Sequence, residues 1–425
     1  MPFQCKLVMA RFCGAQFTSG FPIASERTQM AGTLPLPATL QTRTAERVSA
    51  KTLSIPWYIW CNVIAVACSV VGGVWDISWH ESVGRDTFWT PAHLLIQLCG
   101  ILAGFGCGYL ILSTTFRKDS PLRANSVSVW GFRGPLGAFI CAWGAVGMIT
   151  SAPFDNWWHN AYGLDVKILS PPHILLALGM TAIRFGTLVM VLAEVNRATG
   201  EYRARLERVL FFSFLFLLGM TVGIMQEDTL RVFMHGAKFY VVIMFAAPIW
   251  FAAVSLASEN RWAATIVTGA YTLMHLAFIW ILQLVPAEPK LGPVYQKITH
   301  LVPPDFPALI IVPAIVFDLV RRRSTTLNRW TQAAILGVAS LISFVAVQWP
   351  FANFLMSPAS RNWFFATNNL PYFMPPTSHW AQNAWLPTES TSLQFALRMF
   401  LALAAAILMT RLGLAWGDWM RRLRR

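Results

Sequence analysis

The sequence predicts an all-α fold, a polytopic transmembrane helical bundle of about ten spans with a duplicated two-span unit in its N-terminal half. Three observations predict it. Of the 425 residues, 56% are hydrophobic and only 12% are charged. That is about half the charged fraction of roughly 25% found in soluble domains. The apolar residues are gathered into runs close to the roughly 20 residues that a helix needs to cross the hydrocarbon core. The basic residues fall mainly in alternate segments between those runs, as the positive-inside rule requires.

Taken in order, residues 1–50 are rich in Ser, Thr, Gly, Ala and Pro and contain no apolar run of signal-peptide length. They are expected to form a disordered cytoplasmic tail, with Met30 as an alternative start to Met1. Residues 51–425 read as a single transmembrane domain. Spans are expected near 56–75, 92–113, 132–152, 172–194, 208–226, 237–257, 262–285, 305–321, 331–356 and 392–416. The sixth and seventh are joined by a very short turn around Glu259, Asn260 and Arg261. The long segment at about 357–390 is rich in Pro, Asn, Trp and Phe, and reads either as an interfacial loop anchored by its aromatics or as a lid.

Counted by side, 24 Lys and Arg residues fall with the termini and 7 with the opposite loops, leaving Arg184 and Arg398 inside spans. Both termini are therefore expected in the cytoplasm, and the loops after spans 1 and 3 on the extracytoplasmic side. The net charge of +14 is mostly this asymmetry. No basic surface interleaved with aromatics points to nucleic acid. The seven cysteines show no metal-ligand spacing and no C-x-x-C, so they read as small buried residues.

One motif occurs twice. Asp76, Trp79, His80, Gly84, Asp86, Thr90-Pro91 and His93 are matched about eighty residues later by Asp155, Trp158, His159, Gly163, Asp165, Ser170-Pro171 and His173. A long fixed period marks a duplicated structural unit. The repeat units are about 56–113 and 132–194, and the spans over about 208–416 are unrepeated. Two spans return the chain to the side it started from, so the copies should share an orientation, related by rotation about the membrane normal.

The motif also predicts local structure. A four-residue step places Asp76 with His80, and Asp155 with His159, on one helix face. Gly84 and Gly163 are expected just past those helix ends. Thr90-Pro91 and Ser170-Pro171 read as a hydroxyl N-cap followed by Pro at the first helical position. His93 and His173 then fall in the first turn of the next helix. Each hairpin is thus expected to gather one carboxylate and two imidazoles.

Such a set is a recurrent metal site, suited to copper, iron or zinc. Asp86 and Asp165 are additional carboxylates, either ligands, partners that orient a His, or loop caps. The competing reading is that these residues cap helix ends at an interface. Haem is disfavoured, because Gly, Asp and Pro between the paired His break any single helix that would present both.

The D-x3-H-x12-H spacing of Asp76, His80 and His93 resembles a copper-binding motif in one of the integral membrane subunits of the particulate methane and ammonia monooxygenases. The resemblance implies copper at these three residues. Asp155, His159 and His173 depart from it by one residue, and nothing else in the chain matches that family.

Glu227 and His235 are the expected further additions to a site. Arg184 and His275 are ionisable residues inside spans, which are candidates for function by position alone. The readings that follow are an integral membrane metalloenzyme, an oxidoreductase on a small or lipid-soluble substrate, or a non-catalytic protein: a metal or proton transporter, or a metal-handling assembly factor. Its partners are then the bilayer and a redox partner or further membrane subunits. Few polar residues continue inward from the motif in spans 1 to 3 beyond Ser69, which argues against a conduit there.

Single cysteines introduced at Asp119 and at Arg85 test the topology. Asp119 should react with a membrane-impermeant thiol reagent only from the cytoplasmic side and Arg85 only from the other; labelling of both from one side contradicts it.

Overall fold

The structure, a computed structural model, describes residues 54–163 and 170–424. The expected tail at 1–50 and the residue Asp165 lie outside the described residues.

The described chain is helical almost throughout. Helices α1 (Trp57–Ser82) and α2 (Pro91–Phe116) form one hairpin, and α3 (Leu136–Tyr162) and α4 (Pro171–Val195) form a second. Between them a small antiparallel ribbon, β1 (Val127–Val129) and β2 (Phe132–Gly134), turns at Trp130 and Gly131. Both turn residues have positive φ, the geometry of a tight hairpin turn. Then follow α5 (Gly200–Ile224), α6 (Ala237–Ala246), α7 (Pro248–Ala257), α8 (Ala263–Leu282), α9 (Ile311–Arg323), α10 (Arg329–Met356) and α11 (Ser392–Met420). Among the described residues nine helical stretches are long and apolar enough to cross a membrane, counting α6 and α7 as one.

Pro248 interrupts the sixth span, because it lacks the N–H that the helix would use there. The two short helices nevertheless form the most buried of the nine stretches. Helix α11 packs along both. Gly413 and Gly417 let it approach: a Cβ at Gly417 would sit 3.0 Å from the carbonyl of Ala253 and closer still to Leu256.

Close approach also fixes the α3–α4 pair. A Cβ at Gly144 would lie 2.7 Å from the carbonyl of Gly179, and one at Gly179 would lie 2.8 Å from that of Gly144. Gly137 and Gly186 repeat the contact one heptad away. Apolar surface gains nothing from leaving lipid for another helix, so backbone proximity and van der Waals packing carry such interfaces.

The span expected at 305–321 departs from a plain helix. Helix α9 begins only at Ile311 and has 13 residues, about 20 Å at 1.5 Å per residue. Pro303, Pro304 and Pro307 withhold backbone donors, and residues 301–309 run extended. Hydrogen bonds trace the whole stretch antiparallel along α8. The Leu301 N–H donates to the Val285 carbonyl at 2.9 Å. His275 Nε2 donates to the Asp305 carbonyl at 3.0 Å, and the Thr265 N–H donates to Asp318 at 2.9 Å. Extended backbone at this depth survives only where protein groups satisfy it. Here they are Ser78, Ser82, His275 and Gln348.

Helix α6 starts under a carboxylate from a distant loop. Glu389 accepts from the N–H groups of Ala237 and Lys238, both at 3.2 Å, and from Arg398 at 2.8 Å. Its side chain is only 7% exposed. Burial pushes its carboxyl up, but the hydrogen bonds from Arg398, Thr388 and the two amides outweigh this and hold it below the ordinary value of 4.5.

Two outcomes follow. Gly144→Leu should destabilise the detergent-solubilised protein by about 1–3 kcal/mol, the usual cost of overpacking, whereas Gly73→Leu should not, since a Cβ there meets nothing within 4 Å; thermal unfolding of both checks this. Glu389→Gln should lower stability at neutral pH by about 1–3 kcal/mol. Because the folded state depresses this carboxyl, its contribution is fully present above 4.5 and fades as the pH falls below it. The gap between wild type and variant should therefore close in acid, and a gap independent of pH would contradict the assignment.

Candidate metal centres

The loops after α1 and α3 follow one plan. Helix α1 ends at Ser82, and Gly84 takes φ +83°; helix α3 ends at Tyr162, and Gly163 takes φ +100°. Both are left-handed positions that favour Gly. Prolines at the first helical position open α2 and α4. The Ser170 hydroxyl accepts from the His173 N–H as expected of an N-cap. Thr90 differs: its hydroxyl accepts from the Thr87 N–H at 2.9 Å and so fastens the loop rather than the helix.

These turns bring the motif residues together. In the first hairpin His93 Nε2 lies 3.0 Å from Asp76 Oδ1 and 3.2 Å from Asp86 Oδ2. His80 Nε2 lies 3.4 Å from Asp86 Oδ2 and 3.9 Å from Asp76 Oδ1. In the second, Asp155 stands 3.4 Å from His159 Nε2 and 3.3 Å from His173 Nε2. Within each set, one ligand atom from every residue lies within 4.8 Å of the others, and each set could hold a metal ion. Asp86 is thus a full member of its set. The signal for it was its match with Asp165 in the second copy.

The tautomers sharpen the geometry. His93 Nδ1 lies 2.9 Å from the carbonyl of Thr87, and His159 Nδ1 lies 3.3 Å from that of Gly163. A carbonyl only accepts, so the Nδ1 atoms carry the protons. In a neutral ring Nε2 then presents a lone pair to carboxylate oxygens, and two acceptors face each other. A cation between them removes the repulsion, either a second proton on the ring or a metal ion. Asp76 Oδ1 and Asp155 Oδ1 are buried and accept no hydrogen bond, which leaves both as open donors. Around a tetrahedral ion with ligands at roughly 2.0–2.1 Å, donor atoms stand about 3.3 Å apart. Five of the six measured separations lie between 3.0 and 3.4 Å. The donor sets could therefore hold a metal ion. When the ring carries that second proton, the hydrogen bond from His93 Nε2, aided by the nearby His80, holds the Asp86 carboxyl below the ordinary carboxylate range, against the opposing effect of burial.

The sets lie at the rim of the bundle, with the His80 side chain 49% exposed. The long loop reaches the first of them. Tyr372 stands where a Cβ on Gly84 would be, and its N–H donates to the Glu81 carbonyl at 3.0 Å. Lys290 N–H donates to the Val83 carbonyl at 2.8 Å. Sequence reasoning missed Tyr372, since nothing in a Pro- and aromatic-rich loop marks one tyrosine.

The other expected residues stand apart from the two sets. His235 is sandwiched between the indoles of Trp349 and Trp385, with ring centroids 4.2 and 3.9 Å away. Glu227 is exposed in a short turn after α5. Arg184 is buried and donates to the Ser69 hydroxyl at 3.0 Å. His275 serves the extended stretch before α9. Of the five described cysteines, Cys99, Cys107 and Cys141 are buried, Cys61 and Cys68 are partly covered, and all are free thiols.

No protein-family model matches the chain, and neither a curated protein nor a solved structure does. The likeness to the monooxygenases thus rests on Asp76, His80 and His93 alone.

Proposed function

We propose that the protein is an integral membrane metalloprotein that holds a divalent first-row transition ion in each hairpin. Asp76, His80, Asp86 and His93 form one site, and Asp155, His159 and His173 the other. The observation that carries this reading is the pairing of an Nδ1–H given to a backbone carbonyl with an Nε2 aimed at carboxylate oxygens, present once in each hairpin. Fixing Nδ1 in this way is how proteins orient a ligating imidazole. The donors are nitrogen and oxygen, which suit copper(II), iron or zinc better than copper(I). Copper is the choice that the motif resemblance favours.

The finer reading is an oxidoreductase that acts on a small or lipid-soluble substrate at the extracytoplasmic rim. A bound ion would supply a redox or Lewis-acidic centre there. The chain's own contribution is to orient two imidazoles with two carboxylates in the first site and one in the second, and to leave a side of the first open, as the exposure of His80 indicates. The interior beneath the sites favours this over a transporter. Val66, Cys99, Ala103, Ala145, Met148 and Ile183 fill most of it, and the buried Arg184 and Ser69 beside Cys99 are hydrogen-bonded to each other, whereas an ion path needs polar groups at successive depths.

Metal analysis of the purified protein tests the reading. Wild type should carry two ions per chain, His80→Gln or His159→Gln alone should lower this to about one, and the double variant should carry none. Full metal content in the double variant, with the fold intact by circular dichroism, would overturn it.

A further inference from the structure

On a different face of α1 from the first metal set lies a second polar feature. A cavity of about 100 Å³ opens between α1, α5, α8 and the extended stretch before α9. This is room for several waters. Its polar end holds Glu81, Asp305, His275 and Gln226. Most of the rest is apolar or aromatic, including Val74, Met274, Phe278 and Phe306.

One acidic side chain in this cavity has no partner. Both oxygens of Asp305 are engaged by Arg231, one by Nη1 at 2.8 Å and the other by the backbone N–H at 3.1 Å. Arg231 is 2% exposed and offers its charge to this carboxylate. His275 gives its Nε2–H to the Asp305 carbonyl. Glu81 remains. Among the described residues no hydrogen bond or ion pair reaches its carboxyl, although it lines the cavity. A carboxyl turned into a largely apolar space without a partner leaves its acceptor oxygens unfilled. A positively charged N–H donor that enters the cavity supplies the missing partner.

We propose that this cavity binds a monovalent organic cation of the alkylammonium type, with Glu81 as its counter-charge. The head group donates hydrogen bonds to Glu81, and the short apolar body lies against Met274, Phe278 and Phe306. Aromatic faces attract such a cation. A bare alkali ion would make no use of the apolar and aromatic part of this lining. The site is independent of the metal reading. Asp76 and His80 point toward the loop at 86–93, whereas Ser78 and Glu81 line the cavity.

Isothermal titration of the full chain in nanodiscs with n-butylammonium chloride tests this, with sodium chloride and n-butanol as the other arms. Wild type should bind one butylammonium saturably and should bind sodium and butanol at least about tenfold more weakly. Glu81→Gln should lose at least about tenfold in affinity. Gly223→Leu provides a second variant: Gly223 lines the cavity, and a Cβ there meets nothing within 4 Å, so the new side chain fills the space and should block binding. The His80→Gln and His159→Gln double variant should bind butylammonium as wild type does, which separates this test from that of the metal sites. Absence of saturable binding, unchanged affinity in Glu81→Gln or Gly223→Leu, or equal affinity for butanol or sodium would each overturn the proposal.

Discussion

Two serine hydroxyls on α1 hold the backbone of Val302, and much of the motif end of the molecule depends on that clamp. Ser78 donates to the Val302 carbonyl at 2.6 Å, and Ser82 accepts from the Val302 N–H at 2.7 Å. The clamp satisfies extended backbone that would otherwise be stranded inside an apolar bundle. It also fixes the last two turns of α1, whose carbonyls at Glu81 and Val83 receive Tyr372 and Lys290. Asp76 and His80 stand on the same two turns. Metal ligands need positions held to about half an ångström, and here the rigidity comes from loops that are distant in sequence.

The extended stretch explains how one span yields a cavity. A continuous helix at residues 301–310 would bury its own polar groups and pack against α8. Three prolines prevent it. The backbone then turns to side chains on α1, α8 and α10 for hydrogen bonds. Ser78 and His275 among them line the cavity, together with Asp305. Discontinuous spans in membrane proteins commonly place binding groups in this manner.

The two candidate ligand sets show the same economy. Each uses two helix ends, one left-handed glycine and one proline-started helix. The loop then supplies the carbonyl that fixes an imidazole: Thr87 for His93, Gly163 for His159. The second hairpin is one residue longer between its histidines. There the α3–α4 pair is drawn together by facing glycines, and Asp155 still meets both rings.

The amino-acid sequence by itself determined the helical class, the position of nearly every span and the residues of the candidate ligand sets. Hydrophobic runs and a repeated D-x3-H step are local signals, and the geometry they encode is that of a single helix or a single hairpin. Glu389 over the start of α6, Tyr372 against Gly84 and the pairing of Arg231 with Asp305 were decided by tertiary structure. So was the extended half of the span expected at 305–321, because prolines state only that a helix stops, not which side chains will satisfy the exposed backbone. Glu81 carried no signal either. Its neighbour His80 belongs to a motif that can be read along the chain, while the cavity that Glu81 lines is made by five segments up to more than two hundred residues apart. A carboxyl that lines a cavity without a partner is a property of that surrounding, and no pattern along one stretch of sequence contains it.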